Sequence, residues 1–184
     1  MNLNNLDSIN IVILAEGFAN TALLFASYAF IILFIFNILK VDRFNPVVKG
    51  LIAVYKPISK ITFFSNQLYG TFIISVLLNY INLNLLILNE SSGLFNAAVA
   101  LMMTINSIFK IIFYTIIGSV ILSWVSPENS HPLFRLAEEI SSKTLEPIRR
   151  FIPSAGGLDF SPIFAFILIQ QIGILLNSFL RFLS

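Results

Sequence analysis

Eleven basic residues, nine acidic residues and one histidine carry the charge of this 184-residue chain. The densest cluster of groups able to do chemistry is Glu146-Pro147-Ile148-Arg149-Arg150-Phe151-Ile152-Pro153, followed by Ser154-Ala155-Gly156-Gly157-Leu158-Asp159-Phe160-Ser161-Pro162. Arg149 and Arg150 lie between Pro147 and Pro153, close to an apolar run. Cations in that position hold anionic lipid headgroups, at about 1 kcal/mol each. The alternative occupant is an acidic segment of a partner protein. Arg135, Lys49, Lys56 and Lys60 are further cations of this kind. Asp159 is near enough in sequence to pair with an arginine. Together with Ser161 it is also placed to cap a helix that has Pro162 in its first turn. Gly156-Gly157 permits a tight turn or close backbone approach.

Two ionisable residues, Glu16 and Lys110, fall inside apolar segments, where such groups are functional candidates. Snorkelling of Lys110 to an interface is the alternative for that residue. Asn79, Asn82, Asn84, Gln170 and Gln171 place amides in or near apolar segments; they suit hydrogen bonding between helices or a polar path. The chain has no cysteine, so disulfides, thiolate metal sites and cysteine nucleophiles are excluded. His131 cannot form a histidine cluster by itself. No HExxH or GxSxG motif and no paired intramembrane carboxylates occur. The expectation is therefore no enzyme, no metal and no cofactor.

The elements that carry these residues follow from composition. The chain is 57% hydrophobic and 11% charged, with mean hydropathy +0.89, against roughly 25% charged residues in soluble domains. Its natural solvent is lipid. Apolar segments run from about Ile9 to Leu39, Leu68 to Leu88, Leu94 to Val125 and Pro162 to Leu183. They are continuous rather than alternating, so helices are expected and not a barrel. The first and third are longer than the roughly 20 residues a bilayer core needs, and must tilt, kink or extend beyond it. The N-terminal stretch has no basic residue before its long apolar run, so it reads as a retained span rather than a cleaved signal. Nine of the eleven basic residues fall in the first and third connections. The positive-inside rule puts those in the cytoplasm and both termini in the periplasm of a bacterial inner-membrane protein. Too few cations stand against this apolar background for nucleic acid to be a partner.

Shifting the sequence by 86 residues brings Pro46 onto Pro132, Lys49 onto Arg135, Gly70 onto Gly156 and Ser75 onto Ser161. The expected architecture is thus an all-α membrane protein of four transmembrane helices, built as two parallel two-span repeats at 9–92 and 94–184. Each repeat carries an amphipathic cytoplasmic interfacial helix. In the second it starts at Pro132 after Ser130 or His131 and ends near Pro147. Leu133, Leu136, Ala137, Ile140 and Thr144 lie on its apolar face, with Glu138, Glu139, Ser142 and Lys143 largely opposite. In the first it runs from Pro46 to Tyr55, closed by Pro57.

The residues Ser123-Trp124-Val125-Ser126, His131-Pro132, Pro147 to Pro153 and Gly156 to Pro162 resemble the YggT (YlmG-like) family of small integral membrane proteins. The resemblance covers most of the second repeat. In the first it is carried by Asn45-Pro46, Lys56-Pro57-Ile58, Gly70 and Ser75. There Ile61, Phe63 and Phe64 replace the second proline and the arginine pair, and Ile73 replaces the aspartate. The resemblance implies roles in envelope organisation, cell division and osmotic tolerance for bacterial members. For plastid members it implies cytochrome b6 haem maturation and nucleoid distribution. No shared catalytic chemistry follows. The expected function is a non-enzymatic integral membrane scaffold or assembly factor; the alternative is a small oligomeric channel or transporter linked to ion or osmotic homeostasis. Expected partners are anionic membrane lipids, a membrane protein and further copies of the chain.

Overall fold

The computed structural model describes residues 3–59, 67–86, 93–125, 131–152 and 159–183. Among them are six helices and no strand: α1 (Leu3–Ile38), α2 (Pro46–Ser59), α3 (Gln67–Leu86), α4 (Gly93–Val125), α5 (Pro132–Arg149) and α6 (Ser161–Leu183). Four hold stretches long and apolar enough to cross a membrane: Glu16–Ile38, Gln67–Leu85, Gly93–Val125 and Ser161–Phe182. The physical reason is that lipid offers no hydrogen bonds, so each backbone group must be satisfied within its own helix. At 36 and 33 residues, α1 and α4 are continuous helices of about 50 Å, well beyond a hydrocarbon core of roughly 30 Å.

The short helices run further than their prolines suggest. Pro57 lies inside α2, which continues to Ser59, and Pro147 lies inside α5, which continues to Arg149. A proline removes its own N–H bond and crowds the carbonyl four residues back; each helix meets that cost once, in its last turn, and ends two residues later. The span boundaries also differ between the halves. Ser75 and Gly70 lie within α3, whereas Ser161 begins α6. Pro153, Gly156 and Gly157 fall outside the described residues.

α1 packs chiefly against α3, α3 against α4, and α4 against both α5 and α6. Small side chains fill the helix contacts: Ser27, Thr71, Ser75, Ala100 and Thr104 are almost completely buried. Small residues let helices approach where lipid supplies no hydrophobic drive between them. Ser27 Oγ donates to the Ser75 carbonyl at 3.4 Å, and the Phe34 and Phe72 rings lie 5.2 Å apart. Between α3 and α4, Asn79 Nδ2 donates to Thr104 Oγ1 at 2.8 Å and Asn96 Nδ2 to Asn84 Oδ1 at 3.2 Å. Phe113 of α4 meets Phe166 of α6 edge-on at 4.8 Å. The main apolar core joins Phe30, Ile31, Leu33, Ile35 and Phe36 of α1 to Val48 and Tyr55 of α2 and to Leu136 and Ile140 of α5. Ile167, Leu168, Ile174 and Leu175 of α6 stay exposed, as suits a helix solvated by lipid.

Candidate functional site

The short helices meet beneath the end of α1. That helix stops in a Schellman turn: Val41 N–H donates to the Phe36 carbonyl at 3.0 Å and Lys40 N–H to the Asn37 carbonyl at 3.3 Å. Lys40 takes the left-handed conformation, φ 50°, a place that usually belongs to glycine. The reversed chain is then fastened to α5. Lys143 Nζ donates to the Lys40 carbonyl at 2.7 Å, Asp42 N–H donates to Glu139 Oε1 at 2.9 Å, and Lys143 pairs with Glu139 at 2.6 Å.

Equivalent caps start the two short helices. Asn45 Oδ1 accepts from Val47 N–H at 2.9 Å, and His131 Nδ1 accepts from Leu133 N–H at 3.3 Å. Each cap precedes a proline, Pro46 or Pro132, that begins its helix. Asn45 also joins the two starts, because its Nδ2 donates to the Pro132 carbonyl at 2.8 Å.

α5 packs Leu136, Ile140, Ser141 and Leu145 against the spans. Each apolar side chain so covered contributes roughly 1.5–3 kcal/mol. Leu133, placed by its spacing on the apolar face, is 51% exposed. Glu139 and Lys143, placed opposite, border the packed face and clamp the end of α1. The outward face carries Arg135, Glu138, Ser142, Glu146 and Arg149. α2 has a different exterior. It buries Val48 and Tyr55, with Tyr55 edge-on to Phe30 at 5.6 Å. It exposes Lys49, Ala53, Val54, Lys56 and Pro57 and contains no acidic residue.

The arginine pair is engaged within the protein. Arg149 places Nε and Nη2 each 2.8 Å from Asp159 Oδ2, and its Nη1 reaches Ser142 Oγ at 3.4 Å. Arg150 pairs with Glu146 one turn back at 2.7 Å. Asp159 uses its other oxygen, Oδ1, to accept from Ser161 N–H at 2.9 Å at the start of α6. It thus caps one helix and braces another. Partial burial pushes its carboxyl pKa up, but the Ser161 hydroxyl and N–H and the Arg149 guanidinium outweigh this and hold it below the ordinary value. The Ser161 Oγ is itself buried with no aligned hydrogen-bond partner among the described residues.

The remaining candidates are dispersed. Arg135 is exposed on α5, and Lys56 is exposed in the last turn of α2. Lys49 Nζ sits 5.4 Å from the Phe44 ring centroid, a cation–π contact. Lys60 lies outside the described residues. Pro162 is half-buried in the first turn of α6. Glu16 and Lys110 are both exposed, and no ion pair joins them among the described residues. No group of three or more His, Asp or Glu side chains gathers around a metal-sized space among those residues. Sequence spacing did not reveal the clamp of Glu139 and Lys143 or the bridge from Asn45. Asn45 had one usable signal, since it precedes a proline 86 residues before His131 does.

Residues 98–180 match the CCB3/YggT family. A 72-residue stretch covering 39% of the chain is 44% identical to an uncharacterized protein of Pseudomonas aeruginosa and 35% identical to the uncharacterized protein YggT of Escherichia coli K12. It spans 36% and 38% of those two relatives, little more than a third of their length. A 155-residue stretch is 30% identical to an uncharacterized protein of Haemophilus influenzae and covers 77% of each chain. No solved structure matches.

Proposed function

The chain belongs to the CCB3/YggT family, and from that premise we propose that it acts as a non-enzymatic integral membrane scaffold or assembly factor. Its setting is the bacterial inner membrane, and its role serves envelope organisation, cell division or membrane-complex biogenesis. Nine basic residues in the two connections that hold α2 and α5 support a cytoplasmic position for both helices. One observation carries the reading. α5 has its apolar face covered by the spans, its start held by Asn45 and its middle held by the Lys143–Glu139 clamp. A rigid strip of mixed charge is left outward, with Arg135, Glu138 and Ser142 at its centre. Such a strip suits a polar protein partner. The exterior of α2, cationic and partly apolar, suits anionic lipid headgroups instead.

A channel or transporter is the second reading, favoured by the amides between α3 and α4. Those amides bond to side chains of the facing helix, Asn79 to Thr104 and Asn96 to Asn84, an arrangement that joins helices. The test is in-cell photo-crosslinking from position 142. The expected result is a discrete protein adduct that disappears when Arg135→Glu and Glu138→Arg are combined, with membrane insertion unchanged. No adduct, or an adduct indifferent to the charge reversal, would sink the docking role. Arg149 is a poor probe because its loss also removes the brace on Asp159.

A further inference from the structure

Two buried amide oxygens, Asn20 Oδ1 on α1 and Asn82 Oδ1 on α3, accept no hydrogen bond among the described residues. Asn82 is only 2% exposed. The contacts between Ser27 and Ser75 and between Phe34 and Phe72 fix the relation of the two helices. As α1 advances from Ser27 to Phe34, α3 recedes from Ser75 to Phe72, so the pair is antiparallel. Asn20 lies seven residues before Ser27, and Asn82 lies seven residues after Ser75. Seven residues make two helical turns, about 10 Å, with a drift of only about 20°. Both amides therefore fall on the contact stripe and at the same level. Buried acceptor oxygens with no donor bonded to them lose their hydration without compensation in a low dielectric. Glu16 lies one turn further along α1 on the same face as Asn20. It is exposed and in no ion pair among the described residues.

We propose that Asn20, Asn82 and Glu16 form a binding site for a monovalent alkali cation, entered from the Glu16 side. The donor set is all oxygen, which selects hard cations. One carboxylate balances one positive charge, whereas a divalent ion would leave net charge beside the lipid. Bound there, the ion would tie α1 to α3, independently of what docks on α5.

The test uses the full chain in mild detergent, with its thermal unfolding midpoint followed in sodium, potassium or N-methyl-D-glucamine chloride at one ionic strength. A saturable rise with an alkali cation over the organic cation is expected. Asn82→Asp adds a charged ligand and should lower the half-saturating concentration by about tenfold, while Glu16→Gln should raise it by about tenfold. Asn82→Leu removes a ligand and should abolish the cation dependence without lowering the midpoint in the organic cation. A midpoint indifferent to the cation in wild type and Asn82→Asp alike overturns the site, leaving the amide oxygens to water. A dependence that survives in Asn82→Leu overturns it equally.

Discussion

Asp159 combines two jobs whose energies can be separated. Its Oδ1 serves the start of α6 and its Oδ2 serves Arg149. Asp159→Asn keeps an acceptor for Ser161 N–H and loses only the ion pair. That pair is more than a third exposed on both sides, so the loss should stay below about 1 kcal/mol. Asp159→Ala also loses the cap and should cost about 1 kcal/mol more. Thermal unfolding of both variants in detergent measures the difference; equal losses would mean that the cap contributes nothing. The folded carboxyl has a lowered pKa, so its contribution is complete above the ordinary carboxylate value and fades as pH falls through the lowered one. Asp159→Asn should accordingly lower stability modestly at neutral pH and converge on the wild type as pH falls through the lowered value, flattening the acid limb of the profile.

Among the elements, the end of α1 carries the most testable strain. Lys40 holds a left-handed backbone that costs a residue with a Cβ about 1 kcal/mol or more. Lys143 uses the Lys40 carbonyl rather than its side chain. Lys40→Gly should therefore keep the clamp and raise stability by about 1 kcal/mol in the same unfolding experiment. A drop would show that the Lys40 side chain itself holds the junction. The spans were legible in sequence because continuous apolar runs satisfy both the lipid and the backbone. Leu136 and Ile140 were legible on the packed face of α5, but Leu145 and Ser141 were not, because the helix runs through Pro147 and its contact with the spans continues past the expected face. The clamp was not legible because Lys143 and Lys40 are 103 residues apart and a carbonyl acceptor has no sequence signature. The Asn79–Thr104 bond was hidden for the same reason: each residue is ordinary until α3 and α4 are packed.

At the scale of the whole molecule, one pair of spans is drawn together by small and polar side chains, and the other stays largely open to its surroundings. α1 and α3 bury far more of their spans than α4 and α6 do. In the proposed arrangement α5 is held against the bundle with its charged face outward, on the cytoplasmic side. The chain has no native cysteine, so single introduced cysteines report without background. The most direct measurement is labelling of Ser142→Cys and Leu145→Cys by a membrane-impermeant maleimide, in spheroplasts and in inside-out vesicles. Ser142→Cys should label in inside-out vesicles alone, and Leu145→Cys, buried to 1% exposure, should stay unlabelled in both. Labelling of Ser142→Cys in spheroplasts, or of Leu145→Cys as readily as Ser142→Cys, would contradict the account.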